Sequence, residues 1–325
     1  MPEAQVRVGV LTCGRVNHMP AVWGPLIDPD GARRFCGCTE RQTDMTMTHV
    51  WDPEPAAAAE FAAAFPRVRI VEHYAGMVGK VDGVIVGDHD SCPHFYDLVR
   101  PYLQAGIPVF LNRPFALSLP DARRLLNLSA TTGTPIMTGS TLEFAPEIEG
   151  IRQQIAGLGQ IEGYAIANGT SDYSTHGIHG VLLAHACFGG TARSVAYGTR
   201  DWRLPGGVVT IEHEPGAGAA GMFGSVHQIT DALGSIRVWG QGSFERSLDG
   251  SLPFWIPILR QMQQMFESRQ APQTDEQILQ KTAMFLAGFQ SAVDAGGAPV
   301  RLDELDDWRA PRLNANPYPA GYFED

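Results

Sequence analysis

The 325-residue sequence has no run of lysine or arginine, no apolar stretch long enough to cross a membrane, and no second close cysteine pair. Without a basic run, and with a net charge of −11, a nucleic-acid or anionic membrane surface is not expected. The lack of a long apolar stretch, and of a basic region followed by an apolar one near the first residue, predicts a cytoplasmic protein without a membrane partner. Only Cys36 and Cys38 of the five cysteines are closely spaced, which predicts reduced thiols and no metal.

The first part of the chain alternates short apolar segments with helical ones. Strands are predicted at residues 5–12, 46–51, 81–86, 107–111 and 135–138, and helices at 54–65, 94–104 and 118–132. Short apolar strands separated by helices predict an α/β domain with a doubly wound parallel sheet. We assign this domain to residues 1–140.

The second part of the chain changes character at about residue 160. Five strand-like segments follow one another, at residues 160–169, 192–200, 206–214, 221–230 and 234–240. They predict a large, mainly antiparallel open sheet in an α+β domain over residues 141–325, whose final segment packs back on the first domain. Two helices follow, near 255–268 and 274–294, and they are too few to cover both faces of the sheet. We therefore expect a homodimer or homotetramer that buries the open face.

The segment VGVLTCGRVNHMPAVW, residues 8–23, predicts a strand, a turn and a helix, as at a dinucleotide pyrophosphate site. The three glycine positions of the G-x-G-x-x-G pattern hold Thr12, Gly14 and Asn17, so a plain strand–helix turn is the alternative. Thr12 fits if the turn avoids positive φ there, and Asn17 fits if it adopts a left-handed conformation or forms a side-chain hydrogen bond. The predicted cofactor-binding residues of the turn are Thr12, Cys13, Gly14, Arg15, Val16 and Asn17.

Asp52 ends the next predicted strand, where a carboxylate binds the adenosine ribose hydroxyls. It follows Gly14 by 38 residues rather than about 20, and an insertion over residues 27–45 would account for the excess. The alternative role is to cap the helix that starts at Pro53, and both roles are compatible. Asp52 disfavours a 2′-phosphate and so favours NAD, whereas Arg15 would admit NADP.

Several segments together resemble the Gfo/Idh/MocA family of glucose–fructose oxidoreductase and inositol dehydrogenase relatives. They are VRVGVLTCGRVNHMPAV, HVWDPEPAAAAEFAAAFP, KVDGVIVGDHDSCPHFYDLVRPYLQAGIPVFLNRPFALSLPDARRLL, HGIHGVLLAHACFGG, GSIRVWG and SAVDAGGAPVRLDEL. The resemblance implies an N-terminal Rossmann domain and a C-terminal domain whose open sheet makes a dimer or tetramer contact. It also implies hydride transfer between a nicotinamide cofactor and a sugar or cyclitol hydroxyl.

The family's Glu-Lys-Pro segment is replaced here by Asn112-Arg113-Pro114. In the family the lysine lies near the nicotinamide and assists deprotonation of the reacting hydroxyl. Arginine keeps the charge but does not accept a proton, so Arg113 is expected to orient a hydroxyl or bind a carboxylate. The alternative is a structural ion pair with a local acid. We place Asn112 and Arg113 at the cofactor, and Arg113 also at the substrate.

The turn after the strand at 81–86 is rich in ionisable residues. Asp88, His89 and Asp90 replace the family's Thr-Pro-Asn-like turn, and His94 matches its helix histidine. Because such turns lie at the carboxyl ends of parallel strands, we predict that all four residues line the cofactor site. The alternative is a solvated turn in which Asp90 caps the following helix.

His179, in Gly177-Ile178-His179, matches the family's G-x-H motif, whose histidine is the usual proton acceptor. The family's acidic neighbours, four residues before and three after it, are absent. His176 lies one helical turn away on the same predicted face, so we assign catalysis to His179, His176 and Arg113.

Three further residues near this motif carry expectations. Asp172 and Tyr173 precede it in a predicted loop and are expected to contact substrate together with His176, His179 and Arg113. His185, within VLLAHACF, is expected to pack inside a helix interface.

The predicted function is therefore an NAD(P)-dependent oxidoreductase of a sugar, cyclitol or related polyol or sugar acid. One alternative is redox-neutral lyase or glycosidase-type chemistry with tightly bound NAD. The other is a non-catalytic sensor or accessory protein that keeps the fold.

Overall fold

The computed structural model describes residues 5–12, 14, 17–33, 35–169, 172–190, 192–198, 201–214, 222–228, 234–312, 318 and 322–323. These residues form two sheets with helices packed against them, which confirms the predicted fold class. No helix among them is both long and apolar enough to cross a bilayer.

The first sheet consists of six parallel strands in the order β3-β2-β1-β4-β5-β6. The strands are β1 (Val6–Leu11), β2 (Met45–Trp51), β3 (Arg69–Ile70), β4 (Gly83–Val86), β5 (Val109–Asn112) and β6 (Ile136–Gly139). Strands β4, β5 and β6 are buried along their whole length, as expected of a parallel sheet covered on both faces. The strand order reverses between β1 and β4, and this reversal creates a crevice at the carboxyl ends of the strands.

Eight α-helices are described. They are α1 (Gly24–Ile27), α2 (Pro55–Ala64), α3 (Phe95–Gln104), α4 (Leu119–Thr132), α5 (Ile148–Gly157), α6 (Ile178–Phe188), α7 (Leu252–Ser268) and α8 (Asp275–Val293). Proline stands in the first turn of α2, α4 and α7, where the missing N–H costs no hydrogen bond. The Ser118 side chain caps α4, and Thr274 forms a capping box with Gln277 at the start of α8.

The second sheet has seven strands in the order β12-β11-β7-β10-β9-β8-β13. They are β7 (Gly163–Asn168), β8 (Ala192–Tyr197), β9 (Val208–His213), β10 (Phe223–Gln228), β11 (Ser235–Trp239), β12 (Ser243–Ser247) and β13 (Val300–Arg301). All pairings are antiparallel except β7 with β10, so the prediction of a mainly antiparallel sheet is confirmed. Helices α6 and α8 pack against this sheet, whereas Phe223 and Trp239 are exposed on it.

The two halves of the sequence are joined by packing as well as by chain. Helix α7 buries Ile258, Met262 and Phe266 against the first sheet, in one cluster with Val8 and other β1 and β2 residues. A Cβ on Gly83 would lie only 2.3 Å from the Phe266 ring, so glycine lets the helix approach the sheet. The division at residue 140 remains a prediction, and α7 shows that the second half of the chain completes the first sheet's core.

The end of the chain also returns to the first sheet. Ala310 N–H donates to the Leu117 carbonyl at 2.7 Å, and Arg309 forms an ion pair with Asp121 of α4 at 2.5 Å. Tyr318 is buried beside Trp51 at the end of β2. The final described residues therefore lie along the carboxyl edge of the parallel sheet.

Candidate active site

The turn after β1 holds a threonine in a backbone conformation that favours glycine. Thr12 has φ +65°, which corrects the expectation that the turn avoids positive φ there. Its hydroxyl donates to the Leu11 carbonyl at 2.6 Å and accepts from Asp88 N–H at 3.2 Å. The first glycine position thus keeps a glycine-like conformation, and these two hydrogen bonds offset part of its cost.

Asn17, at the third glycine position, acts through its side chain. Its Nδ2 donates to the Thr12 carbonyl at 3.0 Å, and its Oδ1 accepts from Met19 N–H at 2.7 Å. This is the side-chain alternative expected for this position. A Cβ on Gly87 would lie 2.5 Å from Asn17 Oδ1, so the asparagine uses space that a glycine after β4 provides.

Asp52 links the turn to the end of β2. One carboxylate oxygen accepts from Gly14 N–H at 2.9 Å and the other from Glu54 N–H at 2.8 Å, just before α2. The helix-start role is therefore present, although the N-cap residue itself is Glu54. A carboxylate has about four acceptor positions, so the same group still has the capacity for ribose hydroxyls. Cys13, Arg15 and Val16 lie outside the described residues, and their cofactor role remains a prediction.

The turn after β4 is organised by Asp88. This buried carboxyl accepts from the Ser91 hydroxyl at 3.0 Å and from Ser91 N–H at 3.4 Å. Burial raises the pKa of Asp88 to about 7, although the hydrogen bond from Ser91 opposes the shift. Ser91 is the N-cap residue of the short helix Cys92–His94, and the burial of Asp88, His89 and Asp90 contradicts the alternative of a solvated turn.

His89 is buried beside Asp90, and neither of its ring nitrogens has a hydrogen-bond partner among the described residues. Its Nε2 lies 3.4 Å from Asp90 Oδ1. Burial, and then the Arg113 charge, lower the pKa of His89, so the ring is neutral near pH 7. His94 lies farther along the edge, where its ring contacts Tyr318 and stacks on Phe323 at 4.8 Å.

Arg113 is brought to this edge by β5, and only 4% of its surface is exposed. Asn112 holds the strand end in place, since its Nδ2 donates to the Gly87 carbonyl at 2.7 Å and its Oδ1 accepts from Arg113 N–H. Arg113 Nη2 contacts His179 Nε2 at 3.0 Å and the Thr175 carbonyl at 3.4 Å. Among the described residues no carboxylate forms a close ion pair with the guanidinium, and Asp172 is the acid whose charge acts on it.

The contacts of His179 define its tautomer. Because arginine only donates, His179 Nε2 must accept from Arg113, and Nδ1–H donates to the Ser140 hydroxyl at 2.5 Å. Burial, followed by the charge of Arg113, holds the pKa of His179 well below its ordinary value. The ring is therefore a neutral acceptor at the crevice.

A buried network behind His179 was not predicted. Ser140 forms a capping box with Glu143, whose Oε2 accepts from Ser140 N–H at 2.7 Å. Glu143 Oε1 lies 2.9 Å from Lys281 Nζ, and Lys281 also donates to the Thr138 carbonyl. The Ser-x-x-Glu spacing at 140–143 is a readable signal for the cap, but nothing in the sequence links it to His179 or Lys281.

In the segment before α6, His176 reaches the site, whereas Tyr173 does not. His176 is half-buried, its Nδ1 has no partner among the described residues, and its ring centre lies 5.9 Å from that of His179. Asp172 accepts from Thr175 N–H at 2.8 Å and caps this segment. Tyr173 was expected to contact substrate, but it is fully buried and its hydroxyl donates to the Phe285 carbonyl at 3.0 Å. That expectation is wrong because the tyrosine ring belongs to the α8 core.

Two further histidines are His18, near Arg113, and His185, within α6. His18, which was not predicted, stacks on Trp23 at 5.0 Å and lies 6.0 Å from Trp255 of α7. Its Nδ1 has no partner in the described part of the chain, and the charge of Arg113 helps to lower its pKa, so it shares the same space. His185 is buried within α6, as expected. Among the described residues, no three potential ligand side chains gather as a metal site would require.

The nicotinamide and adenosine halves of the crevice differ in how well they fit a dinucleotide. Over β4 and β5, the partnerless ring nitrogens of His18 and His89 lie beside the strand ends, where a nicotinamide and its ribose would bind. Over β2, Asp52 stands where the adenosine ribose would bind, but Tyr318 covers the neighbouring Trp51. Asp52, His89 and Asn112 lie at these positions, and their role in holding the cofactor remains a prediction.

Comparisons with known proteins find a family match for the first part of the chain. Residues 14–140 match the model of an oxidoreductase family with an NAD-binding Rossmann fold. The Salmonella typhimurium protein named "Putative oxidoreductase YceM" is 32% identical over 101 residues, which are 31% of this chain and 32% of that protein. The match therefore spans about a third of the length of that curated relative.

Two solved structures share the fold of nearly the whole chain. GenD2 from gentamicin A biosynthesis, solved in complex with NAD, is 17% identical, with 91% of this chain and 96% of that chain covered and a TM-score of 0.72. Myo-inositol dehydrogenase from Lactobacillus casei, solved with NAD(H) and myo-inositol, is 14% identical, with 92% and 97% covered and a TM-score of 0.72. The family match therefore identifies residues 14–140 as an NAD-binding Rossmann segment of the Gfo/Idh/MocA oxidoreductase type, with NAD as its cofactor, and the two solved structures show that nearly the whole chain shares their fold.

Proposed function

We propose that this protein catalyses NAD-dependent hydride transfer at a carbinol carbon of a sugar, cyclitol or related polyol or sugar acid. The observation that carries the proposal is the 3.0 Å contact between Arg113 Nη2 and His179 Nε2 at the crevice. A permanent cation and a neutral proton acceptor meet there at one point. The myo-inositol complex of a structural neighbour supports a polyol-like substrate.

His179 is assigned as the general base in oxidation. Its Nε2 carries a lone pair, which the substrate hydroxyl engages by replacing Arg113 as the donor. Nδ1–H remains bonded to Ser140, so the ring keeps its orientation while it receives the proton at Nε2. His176 lies one turn away and is the candidate to pass that proton toward solvent.

Arg113 is assigned as the group that stabilises negative charge on the reacting oxygen. It stays protonated at neutral pH, because even the burial that lowers its pKa leaves that value at about 10. Its low exposure strengthens its field at the oxygen. NAD, when bound, supplies the hydride acceptor, and the carboxylate of Asp52 favours it over NADP.

The test is NADH formation from a panel of polyols, cyclitols and sugar acids. His179→Ala should lower turnover by about 10²–10⁴-fold and leave NADH affinity within about threefold, because the ring supplies a proton acceptor. His227→Ala is the matched control, since His227 lies on the second sheet and its ring nitrogen contacts only the nearby Ser225 hydroxyl. Full activity of His179→Ala contradicts the mechanism.

Two outcomes would favour the other candidate functions. A retained nucleotide without net NADH formation on any substrate would indicate redox-neutral chemistry. Failure of the wild type to bind any dinucleotide would indicate a sensor or accessory protein.

A further inference from the structure

Arg113 is a buried charge that no carboxylate of the described residues contacts directly, although the Asp172 charge raises its pKa from a distance. Arg113 donates hydrogen bonds from Nη2 and from its backbone N–H, and its Nε has no partner among the described residues. Burying a cation without an anion is costly, so such groups normally pair with a carboxylate or a bound anion. The unused donors of the guanidinium therefore indicate a ligand that brings negative charge.

The surroundings of Arg113 reinforce this interpretation. His18, His89 and His176 each have at least one buried ring nitrogen without a partner in the described part of the chain, and the Arg113 charge acts on all three. The nearby acids are Asp90, beside His89, and Asp172, whose carboxylate accepts from Ser174 and Thr175. The site thus offers several partnerless ring nitrogens, each able to donate or to accept according to its tautomer, around one permanent cation with two acids nearby.

The balance of charge selects the ligand class. A neutral polyol offers the unpaired Nε donor of Arg113 no anionic acceptor, whereas a dianionic phosphate would stand near both Asp90 and Asp172. A single carboxylate matches the guanidinium fork in shape and charge. We propose that the substrate carries a carboxylate, which Arg113 binds, next to the carbon that is oxidised.

The position of His179 explains why the two groups are neighbours. Arg113 Nη2 and His179 Nε2 are 3.0 Å apart, so a carboxylate on Arg113 places the hydroxyl of the adjacent carbon at His179. The substrate class is then a 2-hydroxy acid of the aldonate type. This inference rests on the proposed function, since it names the substrate of the same site.

The test measures binding, in the presence of saturating NADH so that no turnover occurs. Gluconate, galactonate and mannonate are titrated calorimetrically against the wild type beside the matching alditols, which differ only in the carboxylate. At least one aldonate should bind about tenfold or more tightly than its alditol, because hydrogen bonds to charged pairs are the strong ones. Equal or tighter binding of the alditols, or no binding of any aldonate, overturns the proposal.

Arg113→Gln is the companion variant, and it should abolish the aldonate preference when it is titrated at an NADH concentration that saturates the variant itself. The wild-type comparison decides the question even if this variant does not fold. Oxidation of neutral polyols with no aldonate preference would refute the carboxylate and leave the proposed function intact. Preferential aldonate binding without any turnover would support the carboxylate site and refute the proposed oxidoreductase function.

A separate observation concerns the adenosine half of the crevice. The Tyr318 ring stacks on Trp51 with an interplanar angle of 11°, and its hydroxyl donates to Ser91 Oγ at 2.5 Å. Tyr322 contacts Trp51 and Phe323 stacks on His94, so aromatic side chains continue along the edge. Tyr318 therefore joins the end of β2 to the turn after β4, across the end of β1.

This is the place where the adenosine half of a dinucleotide crosses the sheet, next to Asp52. A phenol ring stacked on an indole makes the kind of contact that an adenine ring would make there. We infer that Tyr318 occupies the adenosine position in the free protein and must leave when NAD binds. The residue then acts as a built-in competitor that lowers cofactor affinity.

AMP and nicotinamide mononucleotide, each titrated alone, test this inference without activity measurements. Tyr318→Ala should tighten AMP binding by about two- to tenfold, the strength of one aromatic pair, and leave the mononucleotide unchanged. Tyr318→Phe, which loses the Ser91 hydrogen bond and keeps the ring, should show a smaller gain. Tyr96→Ala on α3, whose ring packs under Arg124, is the control.

Two results would overturn the inference. Unchanged AMP affinity in Tyr318→Ala would mean that the ring does not occupy the adenosine position. Weaker AMP binding would mean that Tyr318 is a wall of that site rather than its competitor.

Discussion

Replacement of Asp88 by asparagine should stabilise the protein at high pH. The Asp88 carboxyl is 5% exposed, and burial raises its pKa from 3.8 to about 7. At about 1.36 kcal/mol per pKa unit, a shift of about 3 units corresponds to about 4 kcal/mol of penalty on the ionised form. An asparagine side chain has the same shape without that charge, and its amide oxygen can still accept from Ser91.

The sign of the pH dependence follows from the raised value. Between pH 3.8 and about 7 the folded protein binds more protons at Asp88 than the unfolded chain does. Stability from this group is therefore present at low pH and is lost as the pH rises through the folded pKa. We expect Asp88→Asn to gain about 2–4 kcal/mol at pH 8.5 and less at pH 5.5.

The assay is urea unfolding of the wild type and Asp88→Asn at both pH values. Asp82→Asn is the control of opposite sign, because the hydrogen bond from Arg7 lowers the pKa of Asp82. The Asp82→Asn variant should lose more stability at pH 8.5 than at the lowest pH at which the wild type still folds. The reasoning about Asp88 is refuted if its variant has the same stability difference between the two pH values as the wild type.

Four further predictions follow from the site and the sheets. Activity in the oxidative direction should stay constant as the pH falls from 8 past 6.5, because the lowered pKa keeps His179 unprotonated; a decline centred above 6.5 in kcat/KM would contradict this. Lys281→Met should cost about 3–5 kcal/mol in chemical unfolding, since it leaves the Glu143 carboxylate buried without its partner, and Glu143→Gln in the same chain should restore part of it. Asp52→Ala should weaken NADH more than NADPH in fluorescence titrations, and equal losses would remove its ribose role. Light scattering should give a mass well above the 35.2 kDa of one chain, and Phe223→Glu on the open sheet face should reduce it; a wild-type monomer at micromolar concentration refutes the oligomer.

The strands that could be predicted are those buried by the fold. Strands β1, β2, β4, β5 and β6 carry apolar runs, so their number and parallel arrangement follow from the sequence. Strands β3 and β12 were missed because their residues are mostly exposed and show no apolar pattern. Their place in a sheet depends on backbone pairing with a neighbour and not on side-chain burial.

The site was predictable where it rests on local turns and not where it rests on packing. The contacts of Asn17 within its own turn, and that of Asp52 with Glu54 N–H before α2, follow from the type of residue at each position, whereas the bond from Gly14 to Asp52 joins two strand ends. The contact of Arg113 with His179 joins segments 66 residues apart, and only the docking of α6 beside β5 creates it. Tyr173 was wrongly predicted to contact substrate because it lies in a predicted loop. Burial of its large ring in the core is the more favourable arrangement.

The packing of α7 on the first sheet has a consequence for how the chain is made. One face of β1 and β2 is covered by residues 252–268, which leave the ribosome only after most of the second sheet has been synthesised. Until then the apolar surface that includes Val8, Val10 and Met45 is covered only in part, by helices α1 and α2 and not by α7. The strands of the parallel sheet are therefore synthesised early, but their core is completed only when α7 has been made. We expect a nascent chain that lacks α7 to aggregate or to bind chaperones.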